Sequence, residues 1–381
     1  ARRQRQMCIR DRMNRCILTS CVALLWCLLL QAQGNPWNNP VVSPKVGLNG
    51  EVTFAIQDAH AKRVELSGQF MDGLRSLTKG ENDVWSVTVK IDKPDIYPYS
   101  FIVDGVQVAD PSNMLLFPNE RFKASLLEMP DSSALYTVND VPHGKVSYCI
   151  YSSNVLGMNR PLLVYTPAGY EAGKKQYPVL YLVSGTTDTE ETWFKVGRVN
   201  TILDNLIAQG KAEPMIVVMP YGYMMNGTPM PSSMEAAEMY TVFSEEMVKC
   251  VIPFVESSFR VRTDREGRAI AGFSRGGGQS LFTAFSHLDK FAWLASYSAY
   301  LTPQVMDHYF KELMVPSLSE SKLKLLWFGV GKSDFLYQDV IKNLDYFDNK
   351  GIRYKSLITE GGHTWMNART YLAETVQQFF K

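Results

Sequence analysis

Residues 269 to 277 read Ala269-Ile270-Ala271-Gly272-Phe273-Ser274-Arg275-Gly276-Gly277, and the reading of this stretch decides the fold. An apolar run enters a Gly-x-Ser-x-Gly pentad and a small-residue stretch leaves it. That is the pattern of a β-strand turning sharply into a helix with a serine at the apex. Small residues at Gly272 and Gly276 are required because the turn is strained and the flanking backbones crowd together. The geometry exposes the Ser274 hydroxyl. It also puts the next backbone N–H, that of Arg275, at a helix N-terminus facing a developing oxyanion.

A serine nucleophile needs a base. The chain holds His60, His143, His287, His308 and His363. Only His363 lies late in the chain on a loop-like segment, Glu360-Gly361-Gly362-His363-Thr364-Trp365, between an apolar strand candidate (354–358) and a terminal helix candidate (367–380). The base of an α/β-hydrolase sits on that loop. The other four histidines read as structural or solvent-exposed. The orienting acid belongs after the penultimate strand. Leu323 to Val330 has a buried-strand pattern and runs into Gly331-Lys332-Ser333-Asp334-Phe335, so Asp334 is the candidate, with Asp339 and Glu360 as rivals. The strand pattern Tyr177 to Val183 precedes Ser184-Gly185-Thr186-Thr187-Asp188, whose Thr186 amide, or its neighbour at Thr187, is the candidate second oxyanion donor beside that of Arg275. The expected fold is therefore an α/β-hydrolase, a mostly parallel central sheet with helices on both faces.

A 381-residue chain is comfortable for two domains. With 46% hydrophobic and 20% charged residues and a net charge of +1, the composition is that of a globular protein and argues against nucleic-acid or polybasic membrane surfaces. Residues 1–12 read as non-native upstream sequence. Met13-Asn14-Arg15 followed by the apolar Cys16 to Leu30 reads as a signal peptide over 13–34, too short for a membrane span. Periplasmic or secreted localisation in a bacterium follows. Of the six cysteines only Cys149 and Cys250 lie beyond that segment. They carry no metal spacing and are expected as two buried free thiols.

From 35 to 138 the period is two. Val52-Thr53-Phe54-Ala55-Ile56, Trp85-Ser86-Val87-Thr88-Val89 and Tyr97-Pro98-Tyr99-Ser100-Phe101 alternate, with turns such as Asn49-Gly50 and Asp104-Gly105 between strands. Short strands at this spacing predict an immunoglobulin-like β-sandwich. The row Tyr97, Tyr99 and Phe101 reads as a core face rather than a sugar platform. Together with Ala109-Asp110-Pro111, these segments resemble the early-set domain akin to the family 48 carbohydrate-binding module, here a scaffold or a lid over the active site.

Residues 139–381 form the second domain. The segments Val164-Tyr165-Thr166-Pro167-Ala168-Gly169-Tyr170-Glu171, Trp193 to Leu206, Pro214 to Pro220, Arg268 to Gly272 and Gly361-Gly362-His363-Thr364-Trp365 resemble carbohydrate esterase family one, the esterase-D-like branch of the α/β-hydrolases. The two-domain arrangement is similar to secreted bacterial feruloyl and acetylxylan esterases. The resemblance implies Ser274 as nucleophile, Asp334 as acid and His363 as base, no cofactor and no metal. It further implies a feruloylated or acetylated arabinoxylan or xylo-oligosaccharide substrate. Ferulate and p-coumarate are the expected acids; acetylxylan or broad carboxylesterase activity, an enterochelin-type siderophore esterase and a glycan-binding protein with an inactive hydrolase domain are the alternatives.

Two departures stand out. Ser184-Gly185 replaces the family's His-Gly, so a different hydrogen bond is expected to hold the oxyanion loop. Arg275 stands where methionine is frequent and puts a cation near the site's rim, to meet a substrate carboxylate or sugar hydroxyl, or to pair with an acid. Trp193, Tyr223, Met224, Met225 and Trp365 are the candidate substrate contacts. The Met-rich stretch that includes Met230 and Met234 reads equally as a mobile wall for a phenolic ring or as ordinary packing.

Overall fold

The computed structural model describes residues 41–224 and 233–381. The expected signal peptide and Met225 lie outside the described residues, and no described helix is long and apolar enough to cross a membrane.

An eight-stranded sheet organises the C-terminal part. Its strands are β1 (Lys145–Ser153), β2 (Met158–Thr166), β3 (Val179–Val183), β4 (Ile216–Pro220), β5 (Arg268–Phe273), β6 (Trp293–Tyr297), β7 (Leu325–Gly331) and β8 (Lys355–Thr359). They lie in the order β1-β2-β4-β3-β5-β6-β7-β8. The first two pairings are antiparallel and the remainder parallel. Strands β3 to β7 are buried along their whole length. Their continuous apolar runs are what a sheet covered on both faces demands. On one face lie α1 (Val199–Ala208) and the C-terminal helix, whose Ile202, Leu203, Tyr371 and Leu372 share a core with Leu182 and Val217. On the other lie α2 (Ser233–Glu246), α3 (Arg275–Ser286), α4 (Pro303–Tyr309) and α5 (Tyr337–Asn349), packed through Phe243, Phe282, Val305 and Phe347. The C-terminal helix, α6, spans Trp365–Val376. This is the doubly covered sheet of an α/β-hydrolase, with β5 near its centre.

The N-terminal part consists of two small antiparallel sheets. One holds Lys45–Val46, Glu51–Gln57, Val84–Lys90 and Thr78–Lys79. The other holds Arg75–Ser76, Val64–Gly68, Ile96–Val103, Val106–Val108 and Ser125–Glu128. Phe54, Leu66, Trp85, Tyr97, Tyr99 and Phe101 fill the space between them, so the aromatic row is core. Ile96–Val103 departs from strict alternation, because Ile96, Pro98 and Ser100 are buried as well. Ile96, Phe117 and Leu126 join the hydrolase core on one face of the large sheet. The second sheet is thus covered on both sides, by the core of the sandwich on one and by an apolar layer continuous with the hydrolase on the other.

A buried ion pair crosses the same boundary. Arg369 of α6 donates to Asp95 and to the carbonyls of Ile96 and Val196. Cys149 is half-buried rather than buried, and Cys250 is buried; both are free thiols. His143, read as structural or solvent-exposed, is exposed, and its Nδ1 lies 3.0 Å from the Asp204 carboxylate.

Candidate active site

Ser274 occupies the apex between β5 and α3 with φ +56° and ψ −125°. Such a conformation costs a non-glycine residue about 1–3 kcal/mol and persists only where the surroundings over-determine it. Here they do. Ser274 N–H donates to Tyr297 O at 2.8 Å, and Ser274 O accepts from Gly277 N–H at 2.8 Å. A Cβ on Gly272 would lie 2.3 Å from Gly276 O, and one on Gly276 would lie 2.4 Å from Val183 O. Both positions are closed to any side chain. The Arg275 N–H opens α3 and is one of the helix's unpaired donors.

His363 stands on the loop between β8 and α6. Its Nδ1 is 2.9 Å from Asp334 Oδ2 and 3.0 Å from Oδ1. The ring lies between Phe273, stacked at 4.7 Å, and Phe335 at 4.5 Å. Gly361 turns the loop with φ +86°. The Gly362 carbonyl accepts from Asn367 Nδ2 at 3.0 Å. Asp334 follows β7 with its side chain fully enclosed. Burial pushes its carboxyl up, but the hydrogen bonds from His363 and from Leu336 N–H outweigh that and hold it below the ordinary carboxylate range. The rival acids are elsewhere: Asp339 lies in α5, and Glu360 is exposed and pairs with Lys332.

The loop after β3 closes the site from the other side. Gly185 N–H donates to Asp188 Oδ2 at 3.1 Å. A Cβ on Gly185 would lie 3.4 Å from Ser274 Cβ. Burial pushes the Asp188 carboxyl up to about 7, against the opposing pull of Arg275, the Gly185 N–H and Asn119. The Gly185–Asp188 hydrogen bond is one that holds this loop. Ser184 itself is buried with its Oγ unpartnered.

Ser274, Arg275, Thr186, His363 and Trp365 border one cavity of about 430 Å³. Its size suits a small organic group. Three expectations about its walls need correction. Trp193 is fully buried, donates Nε1–H to Val183 O at 3.0 Å and packs edge-on to Trp365; it supports the site from the core. Met224 is buried in the apolar layer on the α3 side of the sheet. Tyr223 is half-buried, away from the cavity wall, with its ring 5.6 Å from the Arg275 guanidinium.

Arg275 also differs from expectation. Its side chain is buried, not at the rim, with Nε and one Nη lacking hydrogen-bond partners and no ion pair among the described residues. Burial lowers its pKa, while Glu120 and Asp188 support its charge.

The sequence reading missed Gln69, Phe117 and Phe122, which reach the cavity from the N-terminal part. The Phe117 and Phe122 rings stack at 5.5 Å. The signal that marks them is the long connection 109–124 in a module of otherwise short turns. Phe335, exposed beside His363, and the buried Leu301 also border the cavity and were missed too. No cluster that would hold a metal ion occurs among the described residues.

Residues 153–378 match the Esterase family. The chain is 28% identical over 362 residues to the endo-1,4-beta-xylanase/feruloyl esterase of Xylanibacter ruminicola, an alignment covering 91% of this chain and 47% of that protein. It is 27% identical to endo-1,4-beta-xylanase Y of Acetivibrio thermocellus over 68% of this chain and 26% of that one. The chain therefore spans less than half the length of these relatives. Among solved structures, a ferulic acid esterase is similar over 62% of this chain and 98% of its own, with 26% identity and a TM-score of 0.52. The enterobactin esterase of Shigella flexneri is similar in fold over 87% of this chain and 93% of its own, at 18% identity and a TM-score of 0.62.

Proposed function

Because the chain belongs to the Esterase family, we propose that this carboxylic ester hydrolase releases hydroxycinnamic acids, ferulate and p-coumarate, from arabinoxylan through a Ser274–His363–Asp334 triad. The observation that carries the reading is the shared cavity. Ser274 and His363 open onto it, Asp334 holds the far nitrogen of the imidazole, and the Phe117–Phe122 pair offers an aromatic wall. The printed activity of the Xylanibacter relative, xylanase and feruloyl esterase, supports the substrate class.

With Asp334 ionised and accepting from Nδ1–H, the imidazole presents Nε2 as the base. His363 takes the Ser274 proton as Oγ attacks the ester carbonyl. The Arg275 and Thr186 amides receive the oxyanion, and the sugar alcohol leaves with the proton that His363 returns. Water, activated by the same imidazole, then frees the acid from the acyl-serine. The residues present supply every proton transfer in this sequence. Export, directed by residues 13–34, brings the enzyme to its polymer, and the N-terminal sandwich belongs to the early-set, immunoglobulin-like class.

The test is mass spectrometry of the acids released from destarched cereal arabinoxylan, with Ser274→Ala as the blank. Ferulate, with or without p-coumarate, is expected. Acetate alone would move the enzyme to the acetylxylan class. Neither acid, alongside turnover of a simple aryl ester, would remove the plant polymer from the reading.

A further inference from the structure

The loop that follows β3 carries the proposed Thr186 amide, and its hold comes largely from the other module. Asn119 Nδ2 donates to Thr187 Oγ1 at 3.0 Å and reaches Asp188 Oδ1 at 3.4 Å. Glu120 N–H donates to Thr187 O at 2.8 Å. Asn119 and Asp188 thereby form a short antiparallel bridge between segments far apart in the chain. Asn119 is itself fixed, because its Oδ1 accepts from Arg121 N–H at 2.9 Å and from Phe122 N–H at 3.2 Å. On the loop side, Asp188 Oδ2 accepts from Gly185 N–H.

Two features show that the loop would not keep this shape alone. Thr187 has φ +63°, a left-handed conformation unfavourable for a β-branched residue. A Cβ on Gly185 would stand 2.9 Å from Asp188 Oδ2 and 3.4 Å from Ser274 Cβ, so the loop lies close against the nucleophile and any drift of it moves the amide relative to Ser274. Asn119 and Asp188 are both buried, and their bonds are shielded from competing water.

We propose that Asn119 and Asp188 are positioning residues for the hydrolysis: from opposite sides of the module boundary they hold residues 185–187 so that the Thr186 amide meets the oxyanion formed at Ser274. The N-terminal module is in that sense a part of the catalytic centre. Neither residue touches the substrate. An oxyanion donor displaced by a fraction of an ångström still leaves the substrate bound but supports the tetrahedral intermediate less well. The effect therefore belongs to turnover rather than to binding.

This inference rests on the serine-esterase reading above, and its experiment separates the two. Full-length Asn119→Ala, Asp188→Ala and Asp188→Asn are compared with the parent protein on p-nitrophenyl acetate and methyl ferulate, with Ser274→Ala as the blank and thermal melting alongside. Asn119→Ala and Asp188→Ala are expected to lower kcat about 10- to 100-fold on both esters, short of losing a donor outright. KM should stay within about threefold. Asp188→Asn should regain only part of kcat, because its amide oxygen still accepts the Gly185 N–H while its NH2 cannot accept from Asn119 Nδ2. Parent-like kcat in Asn119→Ala and Asp188→Ala, or a loss confined to KM, overturns the inference. If Asp188→Ala does not fold, Asn119→Ala carries the test, since the Glu120 backbone bond remains. A Ser274→Ala protein that still turns over would instead sink the triad reading; an inert Ser274→Ala beside parent-like positioning variants would sink only this one.

Discussion

His363 Nδ1 lies within 3.0 Å of both carboxylate oxygens of Asp334, so a single ring N–H is shared across the acid. The arrangement fixes one tautomer only while the acid is an acceptor. Asp334→Asn can present an N–H to the ring and invert the tautomer. It is expected to lower kcat by about 10³- to 10⁴-fold with little change in folding, as the triad logic requires. Steady-state kinetics on methyl ferulate, with circular dichroism as the folding control, checks this; a loss below tenfold would mean that another group orients the ring.

The apex of the turn predicts a steric result. A methyl group at residue 276 would stand 2.4 Å from Val183 O and 2.6 Å from Ser184 O, buried backbone atoms at the end of β3 and the start of the loop that follows it. Gly276→Ala is expected to cost about 1–3 kcal/mol by overpacking and to reduce activity further by shifting Ser274. A shifted urea midpoint is the measurement, and a midpoint equal to that of the parent would contradict the close approach.

The cavity wall predicts selectivity. Phe122 is half exposed and stacked on Phe117. If the pair receives a phenolic ring, Phe122→Ala should lower kcat/KM for methyl ferulate about 2- to 10-fold, the worth of one aromatic contact, and leave p-nitrophenyl acetate unchanged. Equal losses on both esters would show that the rings do not select the acyl group.

Asp188 predicts a pH dependence of stability. Its carboxyl is raised from 3.8 to about 7 by burial, so the fold favours the protonated form. That contribution is complete below about pH 4 and is lost as pH rises through about 7. Asp188→Asn keeps a neutral group throughout. Its melting temperature should therefore gain on that of the parent as pH rises from 4 to 8. A gap that stays constant or narrows would show that Arg275 compensates the charge fully.

The parts of the site that were legible in the sequence are those that local sterics constrain. Gly272 and Gly276 are dictated by backbone contacts within a few residues of Ser274 or with the adjacent strand, and His363 was isolated by its place after the last strand. Trp193 and Met224 were misread because an aromatic or methionine near a predicted loop carries no mark of the side it faces. Their burial comes from helix packing against the sheet, a tertiary fact. The same holds for Arg275, whose seat under Tyr223 and beside Glu120 and Asp188 depends on distant segments. Phe117 and Asn119 were invisible for the opposite reason: they sit in a module whose own core is complete without them, and only its docking brings them to Ser274. The alternation of Ile96–Val103 failed for that reason too, since docking buries both of its faces.

Gln69, Phe117 and Phe122 stand in the cavity wall although the module that bears them holds none of the reacting groups. The same module supplies Asn119 and Glu120 to the loop behind Ser274 and Asp95 to Arg369. Exchanging it for another sandwich would therefore change the cavity wall and unfasten that loop in one step, so a new wall has to arrive with its own fastening to leave Ser274, Asp334 and His363 in working order.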